Sequence, residues 1–289
     1  MHKSIILLIL ILFSYNLKGQ IFSLPVDLKT DHLKNPISID NPNPRLAWRM
    51  DDSRQGARQS AYRIIVDTDS LEVAKGNGSV WDSGKRDSDQ QLVTYNGREL
   101  VPFTKYYWKV TIWDAWQKEN GSTVQSFETG MMAIANWQGN WISDGRDIHY
   151  EAAPYFRKQF EAEKEIESAR VYIAVAGLYE LYINGEKIGN QRLDPMYTRF
   201  DRRNLYVTHD VTIQLQNGEN VVGVILGNGW YNHQSMAVWD FHRAPWRNRP
   251  TFCLDLRIAY TDGTVETIPT DLSWRKSDSP IIFNSIYTA

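Results

Sequence analysis

The stretch "ARVYIAVAGLYELYINGEKIG", Ala169–Gly189, carries the clearest secondary-structure pattern in the chain. Its β-branched and aromatic residues predict one strand over Arg170–Ala176 and a second over Tyr179–Ile183. Asn184–Gly185 follows directly, and because both residue types tolerate positive φ, the pair predicts a type I′ turn back into "EKIG". The stretch therefore predicts antiparallel β-structure with tight turns.

Upstream segments show the same period of two. "AYRIIVDT" (Ala61–Thr68) and "YYWKVTIWD" (Tyr106–Asp114) alternate, with turn residues such as "KGNGS" and "DSGKRDSD" between them. One face of the second segment is predicted to carry Tyr106, Trp108, Val110 and Ile112. We find no helical period of useful length before Gly130, so residues 20–130 are predicted to form a β-sandwich of the fibronectin-III or immunoglobulin type.

Downstream, a second set of strands begins with "YFRKQFEA" (Tyr155–Ala162). "ENVVGVILGNGW" (Glu219–Trp230) is typical of a buried strand that ends in a glycine-flanked loop. "AYTDGTVETI" (Ala259–Ile268) is predicted to repeat the two-residue turn at Asp262–Gly263. The predicted fold class is therefore all-β, with two consecutive β-sandwiches, the second jelly-roll-like and covering residues 131–289.

The N-terminus has the composition of a secretory signal peptide. Lys3 precedes an apolar run, Ile5–Phe13, that is too short to span a membrane, and the small Gly19 marks the predicted end of a signal peptide over residues 1–19. The sequence thus predicts a secreted or periplasmic protein, and no other apolar run reaches membrane length. Cys253 is the only cysteine and is expected to be a buried small hydrophobe.

Charge and motifs exclude several function classes. Lys plus Arg total 32 and Asp plus Glu 34, so the net charge of −2 lacks the basic footprint of a nucleic-acid-binding protein. The six His residues show no metal-ligand spacing, and the sequence has no GxSxG, Walker A or Rossmann glycine motif. A glycosidase needs two carboxyl groups at a fixed separation, and no pair among the acids is singled out. No catalytic residue is therefore assigned.

The candidate binding residues lie in and after the loop that follows "VVGVILG". They are Asn228, Trp230, Tyr231, Asn232, Trp239 and Asp240. Amides and carboxylates hydrogen-bond sugar hydroxyls, while aromatic faces pack on the apolar faces of sugar rings. The alternative is that Trp230 and Tyr231 pack between the sheets and that Asn228 only accepts a left-handed turn. Asp194 and Asp201 are weaker candidates for calcium ligands, so the metal is left unknown and no other cofactor is expected.

The sequence also resembles the N-terminal region of bacterial α-L-rhamnosidases. The resemblance is carried by "ARVYIAVAGLYELYINGEKIGNQRLDPMYTRFDRRNLYVTHDVT", "GENVVGVILGNGWYN" and "RIAYTDGTVETIPTDLSWRKSDSPIIFNSIYTA", within residues 137–289. The earlier segments "PRLAWRM", "QSAYRIIVDT", "VWDSGK" and "FETG" are similar to the fibronectin-III-like domain that precedes it in the same enzymes.

This resemblance implies a partner domain. In the family, acidic residues of a downstream (α/α)₆ barrel cleave the glycosidic bond, and none of those residues can be carried over to this chain. The resemblance thus implies a scaffold that binds rhamnose-containing glycans and adjoins such a barrel, either covalently or as a separate protein. The chain could equally be a fragment, half of a split enzyme, or a free-standing secreted carbohydrate-binding or protein-interaction protein.

Overall fold

A computed structural model of the protein describes residues 23–236 and 239–286. The predicted signal peptide, residues 1–19, lies outside these described residues. The chain folds into two compact units, of which the first ends at Met132 and the second begins at Ala133. Among the described residues, no helix has the length and apolar character needed to cross a membrane.

In the described part of the first unit, the strands form a three-stranded and a seven-stranded sheet. The strands are β1 (Leu24–Thr30), β2 (Ile37–Ile39), β3 (Arg45–Asp51), β4 (Gln59–Asp67), β5 (Trp81–Asp82), β6 (Arg86–Asp87), β7 (Leu92–Thr94), β8 (Lys105–Asp114), β9 (Glu119–Gly121) and β10 (Gln125–Thr129). The smaller sheet has the order β1-β3-β7, and the larger has β2-β10-β8-β4-β5 with β6 on β4 and β9 on β8. All pairs are antiparallel except β2 with β10.

The core of the first unit follows the predicted alternation along β8. Tyr106, Trp108, Val110 and Ile112 are all buried, and the intervening side chains are half-buried. They pack with Leu46 and Trp48 of the other sheet, which makes the unit a β-sandwich. The Trp48 indole N–H donates to Gln59 Oε1 at 2.8 Å, so its buried polar group is satisfied.

A short helix, α1 (Ser70–Lys75), follows β4 and was not predicted. The Asp69 carboxylate accepts hydrogen bonds from the backbone N–H groups of Leu71 and Glu72, and Gly76 ends the helix with φ +94°. With six residues and one buried side chain, Val73, the helix is too short to show a helical hydrophobic period. The capping residues Asp69 and Gly76 were the only indication of this helix in the sequence.

The second unit contains two five-stranded sheets among its described residues. Its strands are β11 (Ile142–Ser143), β12 (Pro154–Ala162), β13 (Ile166–Ala176), β14 (Leu178–Ile183), β15 (Glu186–Lys187), β16 (Tyr206–Asp210), β17 (Gly218–Gly227), β18 (Thr251–Tyr260), β19 (Val265–Pro269) and β20 (Arg275–Asp278). Short 3₁₀ helices span Ile134–Asn136, Thr212–Gln214 and Phe241–Arg243. One sheet has the order β11-β18-β13-β16 with β19 on β18, and the other has β15-β14-β17-β12-β20.

The hydrophobic core of the second unit lies between these sheets. Val171 and Ile173 from β13 pack with Leu181 from β14 and with Val222 and Val224 from β17. Apolar residues from both sheets are fully buried, which is the arrangement of a β-sandwich. The predicted all-β fold class is thus confirmed, and the jelly-roll form of the second unit stays a prediction. Cys253 is buried as expected, and burial raises the pKa of its thiol to about 12.

The two predicted hairpin turns have different outcomes. Asn184 and Gly185 both take positive φ, 50° and 86°, between β14 and β15, as a type I′ turn requires. The second hairpin, between β18 and β19, is joined by residues 261–264, and Gly263 rather than Asp262 takes positive φ. The predicted two-residue turn is wrong there, because the Asp262 carboxylate instead accepts a hydrogen bond from the Thr264 N–H at 2.9 Å and holds a longer loop.

Gly177 carries the chain from one sheet of the second unit to the other. Strand β13 ends one residue before it and β14 begins one residue after it. Its φ is +124°, and a Cβ atom at this position would lie 2.5 Å from the Gly227 carbonyl oxygen and 3.2 Å from Pro250 Cβ. Only glycine fits this backbone conformation and this close approach.

We expect Gly177→Ala to destabilise the second unit by several kcal/mol, since both the backbone conformation and the Gly227 carbonyl must change. The matched control is Gly263→Ala, at φ +81° with nothing within 4 Å of the added Cβ, which should cost only about 1 kcal/mol from backbone strain. Urea unfolding of both variants measures the difference. Equal losses of stability would show that the close approach at Gly177 has no energetic consequence.

Candidate functional site

The candidate site is built from two loops of the second unit, residues 188–205 between β15 and β16 and residues 228–250 between β17 and β18. Their aromatic side chains contact one another and form what we call the aromatic cluster. Its members are Tyr197, Phe200, Trp230, Tyr231, Trp239, Phe241 and Trp246.

Ring contacts connect the two loops. The centroids of Phe200 and Tyr231 are 5.2 Å apart with nearly perpendicular rings, and those of Tyr197 and Phe241 are 5.8 Å apart. Trp230 lies 5.4 Å from Phe241. Aromatic pairs at these distances and tilts are favourable beyond the area that they bury, so the cluster stabilises both loops.

Trp239 is the most exposed ring of the cluster. Its side chain is 79 % exposed, although its centroid lies 6.3 Å from Trp230 and 6.0 Å from Phe241. Trp239 and its neighbour Asp240 both take left-handed backbone conformations, with φ 46° and 56°. Aspartate tolerates this conformation, but it costs about 1–2 kcal/mol for tryptophan, and strain of this kind is concentrated at functional sites. Asp240, the next residue along the chain, is also exposed.

Trp230 and Tyr231 are half-buried and do not belong to the core between the sheets. Each packs on aromatic rings of the loops, Trp230 on Phe241 and Tyr231 on Phe200. Trp230 and Tyr231 therefore do not fill the core between the sheets, which was the alternative interpretation of the sequence. Trp230 supports the exposed ring of Trp239, while Tyr231 links the two loops.

Asn228 and Asn232 have a different role from the predicted one. Both are buried, with 1 % exposure. Asn232 Nδ2 donates to the Ile148 carbonyl at 2.9 Å and to Asn228 Oδ1 at 3.1 Å, while Asn228 Nδ2 donates to the Asn284 carbonyl at 3.0 Å. Because these amides are used inside the protein, direct contact with sugar hydroxyls does not fit their geometry. They hold the loop on which the exposed aromatics stand.

Two further residues complete this support, and the sequence patterns missed both. Arg247 Nε donates to Asn232 Oδ1 at 3.0 Å, and burial lowers the pKa of its guanidinium. Asn284 Oδ1 accepts the Asn228 backbone N–H at 2.6 Å, and its Nδ2 donates to the Glu151 carbonyl at 2.7 Å. Asn284 is far from the loop in sequence, so no local pattern could have identified it.

A buried ion pair holds the end of the same loop, just before β18. Arg249 Nε and Nη2 donate to the two carboxylate oxygens of Asp144 at 3.1 and 2.5 Å, and both side chains are almost fully buried. Arg249 also donates to the carbonyls of Tyr150 and Ala152. Burial alone would raise the pKa of the Asp144 carboxyl, but the hydrogen bonds from Arg249 and from the Arg146 backbone N–H lower it overall.

The two calcium candidates have other partners. Both carboxylate oxygens of Asp201 accept hydrogen bonds from Arg199, at 2.9 and 3.1 Å, and the Asp194 carbonyl accepts the Tyr179 N–H. Within residues 23–236 and 239–286, no group of three or more His, Cys, Asp or Glu residues is placed to hold a metal ion. A calcium role for Asp194 and Asp201 gains no support from this arrangement and stays a prediction.

Comparison with known proteins identifies both units. Residues 164–289 match a family model described as the alpha-L-rhamnosidase N-terminal domain, and residues 25–133 match one described as a Rha78A-like, N-terminal immunoglobulin domain. The chain belongs to the α-L-rhamnosidases, as their N-terminal region.

Individual rhamnosidases agree with this assignment. An alpha-L-rhamnosidase of Formosa agariphila is 36 % identical over 283 residues, and one of Alteromonas sp. is 32 % identical over 282 residues. These matches cover 88 % and 91 % of this chain but only 29 % and 30 % of the relatives. The solved alpha-L-rhamnosidase of Dictyoglumus thermophilum superimposes with a TM-score of 0.84 at 38 % identity, over 93 % of this chain and 31 % of that one. The chain thus spans about three tenths of the length of these relatives.

We expect Asp144→Asn to destabilise this rhamnosidase region by about 3–5 kcal/mol, because it leaves the Arg249 charge buried without its partner. The control is Asp201→Asn, which breaks an exposed ion pair with Arg199 and should cost about 1 kcal/mol or less. Urea unfolding at pH 7 measures both free energies. A loss for Asp144→Asn no larger than that of the control would contradict the anchoring role.

The ion pair between Asp144 and Arg249 also predicts how the free energy of unfolding changes at acid pH. The folded-state pKa of Asp144 is lowered below its ordinary value of 3.8, so its contribution is present above that pH and is lost as pH falls towards the folded-state value. Unfolding free energies measured from pH 6 to pH 2 should therefore fall more steeply for the unmodified protein than for Asp144→Asn. Parallel curves would contradict this linkage.

Proposed function

We propose that the chain is the non-catalytic N-terminal part of an exported α-L-rhamnosidase, an enzyme that hydrolyses terminal α-L-rhamnosyl linkages. Catalysis would belong to a downstream (α/α)₆ domain, covalently attached or separate. The family assignment supports this proposal, as does the small share of the relatives' length that the chain spans. Export rests on the predicted signal peptide alone.

We also propose that the aromatic cluster binds rhamnose-containing glycans. The observation that carries this proposal is the exposed, conformationally strained Trp239 beside the half-buried Trp230. Rhamnose is a deoxy sugar whose methyl group and ring C–H atoms present apolar surface, and burying that surface on an indole ring is favourable. The exposed carboxylate of the following residue, Asp240, supplies a hydrogen-bond acceptor for sugar hydroxyls.

Three buried aspartates already have hydrogen-bond partners inside the protein, which supports a non-catalytic role. Asp144 is paired with Arg249, and Asp114 of the first unit accepts a hydrogen bond from Arg54 at 2.8 Å. Burial raises the pKa of Asp255, whose oxygens accept the backbone N–H groups of residues 138 and 139 at 2.9 and 2.8 Å. These carboxylates hold the backbone and side chains of the fold, whereas glycoside hydrolysis needs two carboxyl groups that face the scissile bond.

A free-standing secreted protein that binds carbohydrates or other proteins is the second candidate. The specific observation in its favour is that Leu193, Met196 and Met236 of the same two loops are exposed, as Trp239 is. Exposed methionine side chains are flexible and are typical of surfaces that accept protein partners.

The proposal is tested by calorimetry of the full chain with L-rhamnose, with and without calcium. We expect heat of binding, and we expect Trp239→Ala to weaken the affinity by about tenfold or more, because the ring's apolar contact is lost. The matched control is Trp141→Ala, which removes an exposed tryptophan of the same unit outside the aromatic cluster and should leave the affinity unchanged.

Two outcomes would contradict the proposal. The absence of heat in both conditions would overturn glycan binding by the aromatic cluster. Hydrolysis of an aryl α-L-rhamnoside by the purified chain at an enzyme-like rate would overturn the non-catalytic assignment, and that result is independent of the calorimetry.

A further inference from the structure

A groove lies on the outer face of the sheet β15-β14-β17-β12-β20. Along β17, alternate residues such as Val222 and Val224 enter the core, so Val221, Gly223 and Ile225 lie on the opposite face. An outer sheet face is ordinarily polar where it meets water. Here the central strand presents apolar side chains that are only half-buried.

The groove has the size of a ligand site. Its volume is about 640 Å³, and its floor is formed by the apolar face of β17. Gly223 keeps the groove deep, since a Cβ atom there would have no neighbour closer than 3.8 Å. Two aromatic side chains also line the groove. Tyr182 on β14 is opposite Gly223 of β17, and Tyr155 on β12 is opposite Ile225 of β17.

Two arginines lie side by side at the groove. Arg157 of β12 is directly opposite Arg275 of β20 in the antiparallel register, and both residues line the groove. Like charges directly opposite each other on a sheet are destabilising. In the described part of the chain neither guanidinium has an ion pair or a side-chain hydrogen bond, whereas the nearby Lys187 is paired with Glu180.

The acids of this face do not neutralise the arginine pair. Glu180 is engaged by Lys187 and by the Tyr182 hydroxyl, which donates to it at 2.7 Å. Glu161 and Glu219 are opposite each other, but they lie four residues further along β12 from Arg157, which is about 13 Å away. The end of the groove that holds Arg157 therefore carries concentrated positive charge next to aromatic and apolar surface.

We propose that this groove binds an acidic saccharide, with the carboxylate of a uronic acid residue held by Arg157 and Arg275. The fork of a guanidinium matches a carboxylate in bidentate geometry, and an anion between the two arginines removes their mutual repulsion. Neighbouring sugar rings would pack on Tyr155 and on the apolar floor. This site uses no residue of the aromatic cluster and goes beyond the proposed binding of rhamnose there.

The geometry favours a saccharide over an acidic peptide. Extended peptides bind to sheets by adding a strand to an open edge, where unpaired backbone groups are available. The floor of this groove is β17, whose backbone is paired with β14 on one side and β12 on the other. Recognition must therefore come from side chains above the sheet, which suits rings that carry charged substituents.

The test is calorimetry of the full chain with a β-1,4-linked trimer of glucuronic acid and with cellotriose. Cellotriose has the same backbone with a neutral CH₂OH group in place of each carboxylate. We expect the acidic trimer to bind at least tenfold more tightly than cellotriose, with an affinity that falls as salt is raised. Arg157→Gln and Arg275→Gln should each reduce the affinity for the acidic trimer at least tenfold.

Loss of folding is distinguished from loss of binding by the thermal midpoint. Removing one of two opposed like charges should leave the Tm unchanged or raise it, so weaker binding at an unchanged Tm identifies a ligand contact. Arg98→Gln, which removes an exposed arginine of the first unit, is the matched control for net charge and should bind the trimer normally.

Several results would overturn the proposal. These are equal affinity for the acidic trimer and cellotriose, full affinity in both arginine variants, or displacement of the trimer by an equal concentration of inorganic sulfate. Trp239→Ala is expected to retain binding of the acidic trimer. Failure of rhamnose binding at the aromatic cluster and failure of acidic-saccharide binding in the groove are therefore separate outcomes.

Discussion

The second unit depends on one close approach, in which Gly177 crosses from one sheet to the other against the end of β17. A Cβ atom at this point would lie 2.5 Å from the Gly227 carbonyl, so the crossing is possible only without a side chain. Because the same Cβ atom would also lie 3.2 Å from Pro250 Cβ, the end of β17 and the residue before β18 are both close to this crossing. The loop between those strands therefore leaves and returns at one corner of the sandwich.

That corner is held by buried polar groups. Asn228 and Asn232 bond inside the protein and Arg249 is paired with Asp144, while Trp239 is exposed in a strained backbone. The amides of Asn228 and Asn232 are buried, and of the rings in the aromatic cluster only Tyr197 and Trp239 are exposed. The hydrogen bonds of the buried amides and of the ion pair hold the loop that carries Trp239, and such preorganisation would favour the sugar binding proposed for the aromatic cluster.

Much of the fold was predictable because the alternation of apolar and polar residues along a strand indicates which side chains are buried. The alternation in β8 identified its core face, and the Asn184–Gly185 pair identified a turn that needs two residues at positive φ. The site was less predictable, since the same amide chemistry serves a sugar or a neighbouring loop. The Asn228 side chain is not available to a glycan because it donates to the Asn284 carbonyl. The position of Asn284 follows from the tertiary fold and not from local sequence spacing. The helix α1 was missed because six residues are too few for a period.

Strand β17 links the two proposed sites, because its outer face forms the floor of the groove and its end leads into a loop that carries the aromatic cluster. A strand with apolar residues at consecutive positions is predicted to be buried on both sides, and only the register with β12 and β14 shows that one side is an open groove. The opposition of Arg157 and Arg275 likewise exists only once β20 has paired with β12. Since β17 also ends at the corner where the aromatic cluster begins, its core face stabilises both surfaces. Substitutions in that core should therefore affect both sites together, whereas substitutions on either surface should affect only one.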